Sequence, residues 1–507
     1  MEHGAGASTI GGAPLSGDGP GLALADGRSP WALLAVVLFG LFSVNVTVTI
    51  LAVSIPRIAR ELHSTQSTLT WVVAGPILAF GIIGPAVGKL GDLWGQRRIY
   101  LLGLAGAALM AGASALAWSA PSLITFRVLG AVEGAATGPA SFALISLVFP
   151  LHQRVKALGF WSMVAAGGPV IGVVIGGPLV SAVGWRVIFA GQVPLCLVAL
   201  AVAWRLLPET PRQSDRTFDW AGAALLAATA TPLLFALNLG PQRGWSSPVV
   251  VGGFAVSPLA LAAFVAVERR AVRPLVPLHY FSRRNFSFAL AAMFLANAAY
   301  MGSFVLTPLL LQNVLGYNEA KTGFVSIARP LSFSITGPLA GFLAVKVGER
   351  VCGALGGVVL VVAMVWMSTI RSGSTAVHIM IGLALAGVAL GISSPSMGSC
   401  ITGAVERADL GVAGAAQQMM IQVGTSFGIQ LMQSVQAARQ SAVGAGAAFG
   451  EGYLVGGVLA AIATVAALCV RRLPRHPFDR AAVALAEAEV PAREWGATEG
   501  APALLRD

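Results

Sequence analysis

Long apolar runs follow one another along most of the 507-residue chain, and they limit its fold more than any other feature. A helix needs about 20 apolar residues to cross the hydrocarbon core of a bilayer. The runs reach that length, and only 10% of the residues are charged, compared with about 25% in soluble domains. A water-soluble fold has no interior large enough for so much apolar surface. The sequence therefore predicts an all-α polytopic membrane protein.

The apolar runs predict about 14 transmembrane helices, separated by short polar loops. The predicted spans are 31–56, 68–89, 98–118, 122–148, 155–180, 185–207, 218–239, 248–268, 286–312, 322–345, 351–370, 375–403, 408–437 and 449–471. An even number of spans places both termini on the same side of the membrane. The four cysteines all fall inside apolar runs, so we expect no disulfide framework.

The basic residues predict the orientation. With both termini in the cytoplasm, 23 of the 32 lysines and arginines lie on the cytoplasmic side and seven lie outside. Short cytoplasmic loops of membrane proteins are enriched in these residues. The expected location is the cell membrane, with several passes and cytoplasmic termini. Because the net charge of +11 is spread over short loops, we expect no nucleic-acid partner.

One cytoplasmic loop carries the unusually charged stretch GKLGDLWGQRR (88–98). Its glycines allow two helices and a tight turn to approach closely. Asp92 can accept hydrogen bonds from the N-terminus of a neighbouring helix, where the helix dipole favours an anion. We interpret the stretch as a cytoplasmic latch, and a plain topology-setting loop is the alternative. The latch residues are Gly88, Gly91, Asp92, Gly95, Arg97 and Arg98.

This stretch resembles the signature G-x-L-a-D-r-x-G-r-[RK] of the major facilitator superfamily. A fainter copy, GFLAVKVGER, occurs at 341–350, where Val345 takes the place of Asp92. The stretch GGPVIGVVIGGPLV (167–180) resembles the motif G-P-x-x-G-x-x-x-G-G of drug antiporters, with generic packing of small residues as the alternative. The residues that match this antiporter motif are Gly168, Pro169, Gly172, Gly176 and Gly177.

Further stretches are similar to the fourteen-span drug:proton antiporter branch, which contains multidrug and antibiotic efflux proteins. They are FRVLGAVEGAATGPASFALI (126–145), GWRVIFAGQVP (184–194), PLVPLHYFSRRNF (274–286) and LLLQNVLGY (309–317). The resemblance implies a major facilitator fold of two six-helix bundles, at 30–210 and 271–471, with two extra linker helices at 211–270. The segments 1–29 and 472–507 are expected to be cytoplasmic tails, the first of them disordered.

A single acidic residue, Glu133, falls at the centre of a predicted span. It lies about 16 Å from the start of that span, near the middle of the bilayer. A carboxyl group that alternates between an apolar setting and a wet or cation-paired one can load and release a proton. We predict that Glu133 couples transport to protons and that Arg127 modulates its charge. Arg127 lies about 120° around the helix, so a direct pair is not expected. The alternative is a buried glutamate that stays neutral.

The first span lacks an acid that relatives in this branch often carry. Thr47 occupies its place in the run VTVTILAVSIP (46–56). Either Glu133 has taken over the coupling, or the protein is not proton-coupled in the usual way. The first reading implies a proton antiporter, and the second implies a facilitator or importer.

Polar residues inside the spans are candidates for the lining of a substrate cavity between the two halves. Amides can hydrogen-bond a ligand without carrying charge, although they also join helices to one another. The candidates are Asn45, Thr47, Thr49, Asn238, Asn297, Gln312, Asn313, Gln417, Gln418 and Gln422. One carboxyl group among many amides favours a neutral, zwitterionic or weakly cationic organic substrate.

These features predict proton-coupled efflux of a drug or antibiotic-like compound by alternating access. A facilitator or importer of a small metabolite is the first alternative, and a non-transporting membrane sensor or assembly factor is the second. The sequence has no metal cluster, nucleophile elbow or phosphate loop, so we expect no enzyme. The expected partners are a small organic substrate, protons and the lipid bilayer, with no cofactor beyond the proton gradient. We expect the monomer to be functional.

Overall fold

The computed structural model of the protein describes residues 29–47, 57–69, 71–150, 153–165, 167, 182–210, 218–271 and 274–471. Within these ranges the chain forms α-helices and short 3-10 turns, without a β-strand. The all-α fold predicted from the sequence is confirmed. The predicted C-terminal tail and nearly all of the N-terminal tail lie outside the described residues.

The helices that build the membrane domain are labelled α1 to α14 in chain order. They are α1 (Pro30–Asn45), α2 (Trp71–Trp94), α3 (Gln96–Ala115), α4 (Ala120–Val148), α5 (153–165), α6 (Trp185–Leu206), α7 (Trp220–Arg243), α8 (Pro248–Glu268), α9 (Arg284–Asn313), α10 (Ala328–Val347), α11 (Glu349–Ser368), α12 (Ala376–Gly403), α13 (Leu410–Val443) and α14 (Ala445–Cys469). In the described part of the chain, ten helices are long and apolar enough to cross a membrane. The number of 14 spans therefore stays a prediction.

Shorter helical segments connect these helices. They are 57–61, Gln66–Leu69, the 3-10 turn Leu278–Ser282, Glu319–Ser326 and the 3-10 turn Arg407–Asp409. The last of these leads directly into α13, so the polypeptide turns sharply before that helix begins.

Two glycines show that the faint sequence repeat is also a structural repeat. Gly95 separates α2 from α3 with φ 96°, and Gly348 separates α10 from α11 with φ 95°. Glycine adopts this backbone conformation at little cost, whereas other residues are strained in it. The two glycines occupy the same place in the stretches 88–98 and 341–350. The repeat therefore preserves the break between consecutive helices.

The buried apolar core is divided into two large clusters. One contains residues from Leu33 to Leu207, and the other contains residues from Ala296 to Ala463. Helix α7 packs against α8, α2 and α13, and its Leu234 lies in one small cluster with Trp71 and Val423. The linker helix α7 thus contacts one helix from each sequence half.

Close backbone crossings between helices depend on glycine. At the crossing of α9 and α13, a Cβ atom on Gly428 would overlap the carbonyl oxygen of Ala298. A Cβ atom on Gly302, in the facing helix, would lie 2.6 Å from the carbonyl oxygen of Gly428. Backbone atoms cannot move aside as the end of a flexible side chain can, so these helices pack this closely only with glycine at both positions.

We predict that Gly428→Ala destabilises the protein by about 1–3 kcal/mol, because the added methyl group overpacks the crossing. The measurement is thermal unfolding of the purified protein in detergent. Gly252→Ala in α8 is the matched control, since nothing lies within 4 Å of its Cβ position. Alanine is a better helix former than glycine, so the control should be unchanged or more stable. Equal melting temperatures for the two variants would contradict this account of the crossing.

Candidate functional site

A cavity of about 230 Å³ lies among α1 to α6 and α13. Its wall combines ionisable and amide side chains with apolar and aromatic ones. The polar lining residues are Asn45, Arg127, Glu133, Thr137, Gln192, Gln418 and Gln422, and the large apolar ones include Phe80, Met110 and Trp161. A concave site with many apolar atoms and a few polar groups suits a small organic molecule.

Glu133 occupies the middle of α4, as the fourteenth of 29 residues. Its side chain packs on Gly106 of α3. If residue 106 carried a Cβ atom, that atom would lie 2.6 Å from the carboxyl carbon of Glu133. The Oε2 atom is buried and has no hydrogen-bond partner in the structure. An unpartnered buried carboxyl oxygen is costly unless a proton or a ligand satisfies it. The wall of the cavity therefore carries a carboxyl oxygen that a proton or a cationic ligand could satisfy.

Arg127 lines the same cavity about one and two-thirds turns earlier on α4. Its guanidinium carbon lies 5.6 Å from the ring centroid of Phe189, and its Nε atom is buried without a hydrogen-bond partner. Arg127 and Glu133 form no ion pair within 4 Å, although their opposite charges attract each other across the cavity. Arg127 can therefore influence the charge on Glu133 without neutralising it through direct contact.

The amides on the cavity wall come from both sequence halves. Asn45 of α1 donates a hydrogen bond to the carbonyl oxygen of Leu41 at 2.8 Å. Gln418 and Gln422 reach the cavity from α13. The amide nitrogen of Gln418 lies close to Gly138 of α4, where a Cβ atom would be 3.3 Å away. The cavity is thus closed on one side by α13.

Some residues predicted to line the cavity lie elsewhere. The hydroxyl group of Thr47 donates to Oε1 of Gln192 at 3.0 Å and is not on the cavity wall. Asn297 donates to the carbonyl oxygen of Met293 at 2.9 Å and borders a separate small void. Gln417 is buried against Gly398 instead, with its Oε1 atom unpartnered. Gln312 and Asn313 are exposed at the end of α9.

Several other predicted residues cannot be located. Thr49 and the whole antiporter motif, Gly168, Pro169, Gly172, Gly176 and Gly177, lie outside the described residues. Asn238 belongs to α7, but its side chain is not among those described.

The sequence prediction did not include Gln192, Phe80 and Trp161, which all line the cavity. Gln192 is a polar residue inside a predicted span, so the rule that selected the other amides could have found it. It donates to the carbonyl oxygens of Ser43 and Val44 at 3.0 and 3.2 Å and thereby joins α6 to α1. Phe80 and Trp161 gave no such signal, because apolar residues in a span face lipid, core and cavity alike.

The latch stretch is more helical than the predicted turn. Because α2 continues to Trp94, Gly88, Gly91 and Asp92 belong to that helix, and only Gly95 interrupts the backbone before α3. A Cβ atom on Gly88 would lie 2.6 Å from the carbonyl oxygen of Gly411. The first glycine of the stretch thus permits close contact between α2 and α13.

Asp92 contacts the N-terminus of α13. Its Oδ1 atom accepts hydrogen bonds from the backbone N–H of Gly411 at 2.8 Å and from the side chain of Gln96 at 2.7 Å. Its Oδ2 atom accepts from the backbone N–H of Val412 at 3.0 Å. The first N–H groups of a helix lack partners within the helix, and the helix dipole favours an anion beside them. Asp92 therefore joins α2 to α13 at one end of the bundle.

A buried ion pair strengthens this end of the bundle. Lys89 Nζ lies 3.2 Å from Asp409 Oδ1, and Tyr280 donates a hydrogen bond to Asp409 Oδ2 at 2.8 Å. Burial and the neighbouring carboxylate raise the pKa of Tyr280, so its hydroxyl group stays a donor. Arg97 pairs with Glu209, beyond the end of α6, and Arg98 is exposed. The latch stretch therefore makes contacts both across the sequence halves and within one of them.

Comparison with known proteins identifies the family. Residues 37–429 match the sequence model of the Major Facilitator Superfamily. The chain belongs to this superfamily. It is a multi-pass membrane transporter and not an enzyme.

Several relatives of this transporter carry names that refer to drug resistance. The tetracenomycin C resistance and export protein of Streptomyces glaucescens is 32% identical over 81% of this chain and 76% of its own length. The multidrug resistance protein Stp of Mycobacterium tuberculosis is 30% identical over 82% of this chain and 77% of its own length. The methylenomycin A resistance protein of Streptomyces coelicolor is 29% identical over 78% of this chain and 83% of its own length.

Solved structures show the same fold at low sequence identity. The human organic anion transporter MFSD10 superposes with a TM-score of 0.61 at 18% identity, covering 85% of this transporter and 100% of its own chain. The proton:xylose symporter XylE also superposes with a TM-score of 0.61, at 14% identity, covering 86% of this transporter and 94% of its own chain.

We predict that Asp92→Asn loosens the contact with α13, because a neutral amide loses the charge that the helix N-terminus favours, worth about 1–2 kcal/mol in a partly buried site. Cys469→Ser first removes the exposed native cysteine. Spin labels are then attached at Arg98→Cys and Glu406→Cys, which are both exposed and lie on opposite sides of the contact. The distance between the labels reports the opening of the contact. Double electron–electron resonance should show a larger population at long distance.

Glu451→Gln is the control for the label experiment, because it removes an exposed ion pair with Arg439 on α13 and α14. It should leave the distance distribution unchanged. The same distribution in Asp92→Asn and in the unsubstituted protein would contradict the assignment of Asp92 as a latch.

Proposed function

We propose that this transporter exports a drug or antibiotic-like organic compound in exchange for protons, by alternating access. The observation that carries the proposal is the unpartnered Oε2 atom of Glu133 on the wall of the cavity. The names of the relatives from Streptomyces and Mycobacterium support drug efflux as the transported class. The proposed cycle draws on the proton gradient and needs no cofactor.

Glu133 is the proposed proton carrier. In the apolar closed site its neutral form is favoured, because burial disfavours a charge. When the cavity becomes wet, or a cationic substrate binds, the ionised form becomes favourable and the proton leaves. Arg127 favours the ionised form from a distance. Substrate and proton thus compete for one group, which is the requirement of an antiporter.

Alternating access would proceed by rocking of the two halves about the cavity. Asp92 and the pair Lys89–Asp409 would hold the cytoplasmic side closed, with Arg97 and Arg98 anchoring the inner surface. Close glycine contacts, such as that between Gly159 of α5 and the carbonyl oxygen of Gly337 in α10, support such motion by keeping the facing surfaces smooth. The cytoplasmic position of the latch and of both termini rests on the distribution of basic residues.

The cavity lining supports a neutral, zwitterionic or weakly cationic substrate with an aromatic part. Glu133 would attract a positive charge, while Phe80 and Trp161 offer ring faces. Met110 adds an adaptable thioether, and Gln418 and Gln422 supply donors and acceptors without a fixed charge. The antiporter motif at 168–177 would act as a hinge, and the monomer would be the functional unit.

A facilitator or importer without proton antiport is the second candidate. It is favoured by Thr47, which stands in the place of the span-one acid and bonds to the neutral Gln192. Such a protein would equilibrate its substrate without a proton gradient.

We expect Glu133→Gln to reduce gradient-driven uptake of ethidium into inverted membrane vesicles more than tenfold, because the amide cannot release a proton. The control Glu451→Gln lies outside the cavity and should keep its uptake. Uptake that survives in Glu133→Gln would overturn the role of Glu133. Equilibration of ethidium by the unsubstituted protein, without accumulation and at a rate independent of the gradient, would favour the facilitator.

A further inference from the structure

Two carboxyl groups meet where α7 begins and α8 ends, at the end of this helix pair opposite the loop that connects the two helices. Asp219 is the N-cap of α7, and Glu268 is the last residue of α8. A Cβ atom on Gly222 would lie 2.6 Å from Asp219 Oδ2 and 2.6 Å from Glu268 Oε1. The two oxygens can therefore be at most 5.2 Å apart.

Glu268 is buried and Asp219 is half-buried, and the hydrogen bonds in the structure satisfy only half of their carboxyl oxygens. Glu268 is 3% exposed. One oxygen of each residue accepts a backbone hydrogen bond: Asp219 Oδ1 from Gly222 at 2.8 Å, and Glu268 Oε1 from Leu275 at 3.1 Å. The other two oxygens, Asp219 Oδ2 and Glu268 Oε2, are buried without a hydrogen-bond partner. The backbone N–H of Val276 also faces Glu268, but neither of these two oxygens has a donor within hydrogen-bond geometry.

A proton on one carboxyl group would supply that donor. Two carboxylates this close, one of them buried, do not both ionise readily, because each opposes the charge of the other. The N-terminus of α7 favours the anionic form of Asp219. Glu268 is then the group that keeps the proton. Within the described residues no group of three or more acidic, histidine or cysteine side chains could hold a metal ion, so a proton fits the pair better than a metal.

The charged surroundings of the pair are sparse. From α2, the positive charge of Lys89 acts on Glu268, but Lys89 is itself bonded to Asp409 at the start of α13. Arg269 and Arg270, which follow Glu268 in the chain, are exposed. None of these cations forms an ion pair within 4 Å of Glu268, so a proton remains the group that can relieve the repulsion.

We propose that Asp219 and Glu268 form a second proton-binding site, distinct from Glu133, whose occupancy regulates the latch. The connection is short. Leu275, which donates to Glu268, lies in one apolar cluster with Val412, the residue whose N–H bonds to Asp92. Tyr280, five residues further along, donates to Asp409.

Loss of the proton from Glu268 would place two like charges where α7 begins and α8 ends. Their repulsion would separate the two helix ends and displace the segment from Leu275 to Tyr280. The latch would therefore be firmer at low pH on its own side of the membrane and looser at high pH. This proposal is independent of the role of Glu133, because the pair lies outside the cavity.

The direct test is infrared spectroscopy of the full chain in lipid nanodiscs over a pH titration. A protonated carboxylic acid has a C=O stretch that disappears on ionisation. We expect Glu268→Gln to remove one such titrating band, and Glu133→Gln to retain it. Asp219→Ser keeps a helix-capping hydroxyl group but removes the neighbouring charge, so the band should titrate at lower pH. A spectrum unchanged in both Glu268→Gln and Asp219→Ser would overturn the site.

The second test measures the regulation. The distance between spin labels at positions 98 and 406 should depend on pH without further substitution, and Glu268→Gln should change the pH dependence that remains when Asp92, a titratable group of the latch itself, is replaced by Asn. Glu133→Gln should leave that remaining dependence unchanged, which separates this site from the proposed transport proton. Equal pH dependence in Asp92→Asn with and without Glu268→Gln would show that the link to the latch is wrong.

Discussion

The hydrogen bonds between Asp92 and the N-terminus of α13 connect the latch to the cavity and to the linker helices. The same helix brings Gln418 to the cavity, about 10 Å along the axis from Gly411. It also packs on the linker helices through Val412. A movement at the latch must therefore also move α13. This helix forms one wall of the cavity, and Glu133 lies on another wall of the same cavity. In this way one carboxylate, placed where a helix dipole favours it, joins the closing contact to the substrate site.

Few charges lie inside this protein, and each needs a physical reason. Asp92 is satisfied by backbone N–H groups, and Lys89 and Asp409 neutralise each other. Glu133 and Glu268 differ from these, because each keeps a buried carboxyl oxygen without a partner. Structural charges in an apolar setting are paired, whereas groups that exchange a proton must remain partly unsatisfied in one of their states.

Hydropathy predicted the all-α fold and the position of Glu133 at the middle of a helix, because these depend only on position along the chain. It could not predict the direction in which a side chain points. Asn297 and Gln312 therefore looked like cavity residues, although one bonds to its own helix and the other is exposed. The burial of Glu268 was equally invisible, since it depends on a neighbouring helix end and on the segment that follows. Packing between helices decides the direction and the burial of these side chains, and hydropathy carries no information about that packing.

The central claim is that substrate and proton compete for Glu133, and proton release on binding tests it most directly. Purified protein in weakly buffered detergent is mixed with ethidium, binding is followed by dye fluorescence, and released protons are followed by a pH indicator. The account predicts close to one proton released for each dye bound, and none from Glu133→Gln. Dye binding without proton release, or equal release from Glu133→Gln, would contradict it.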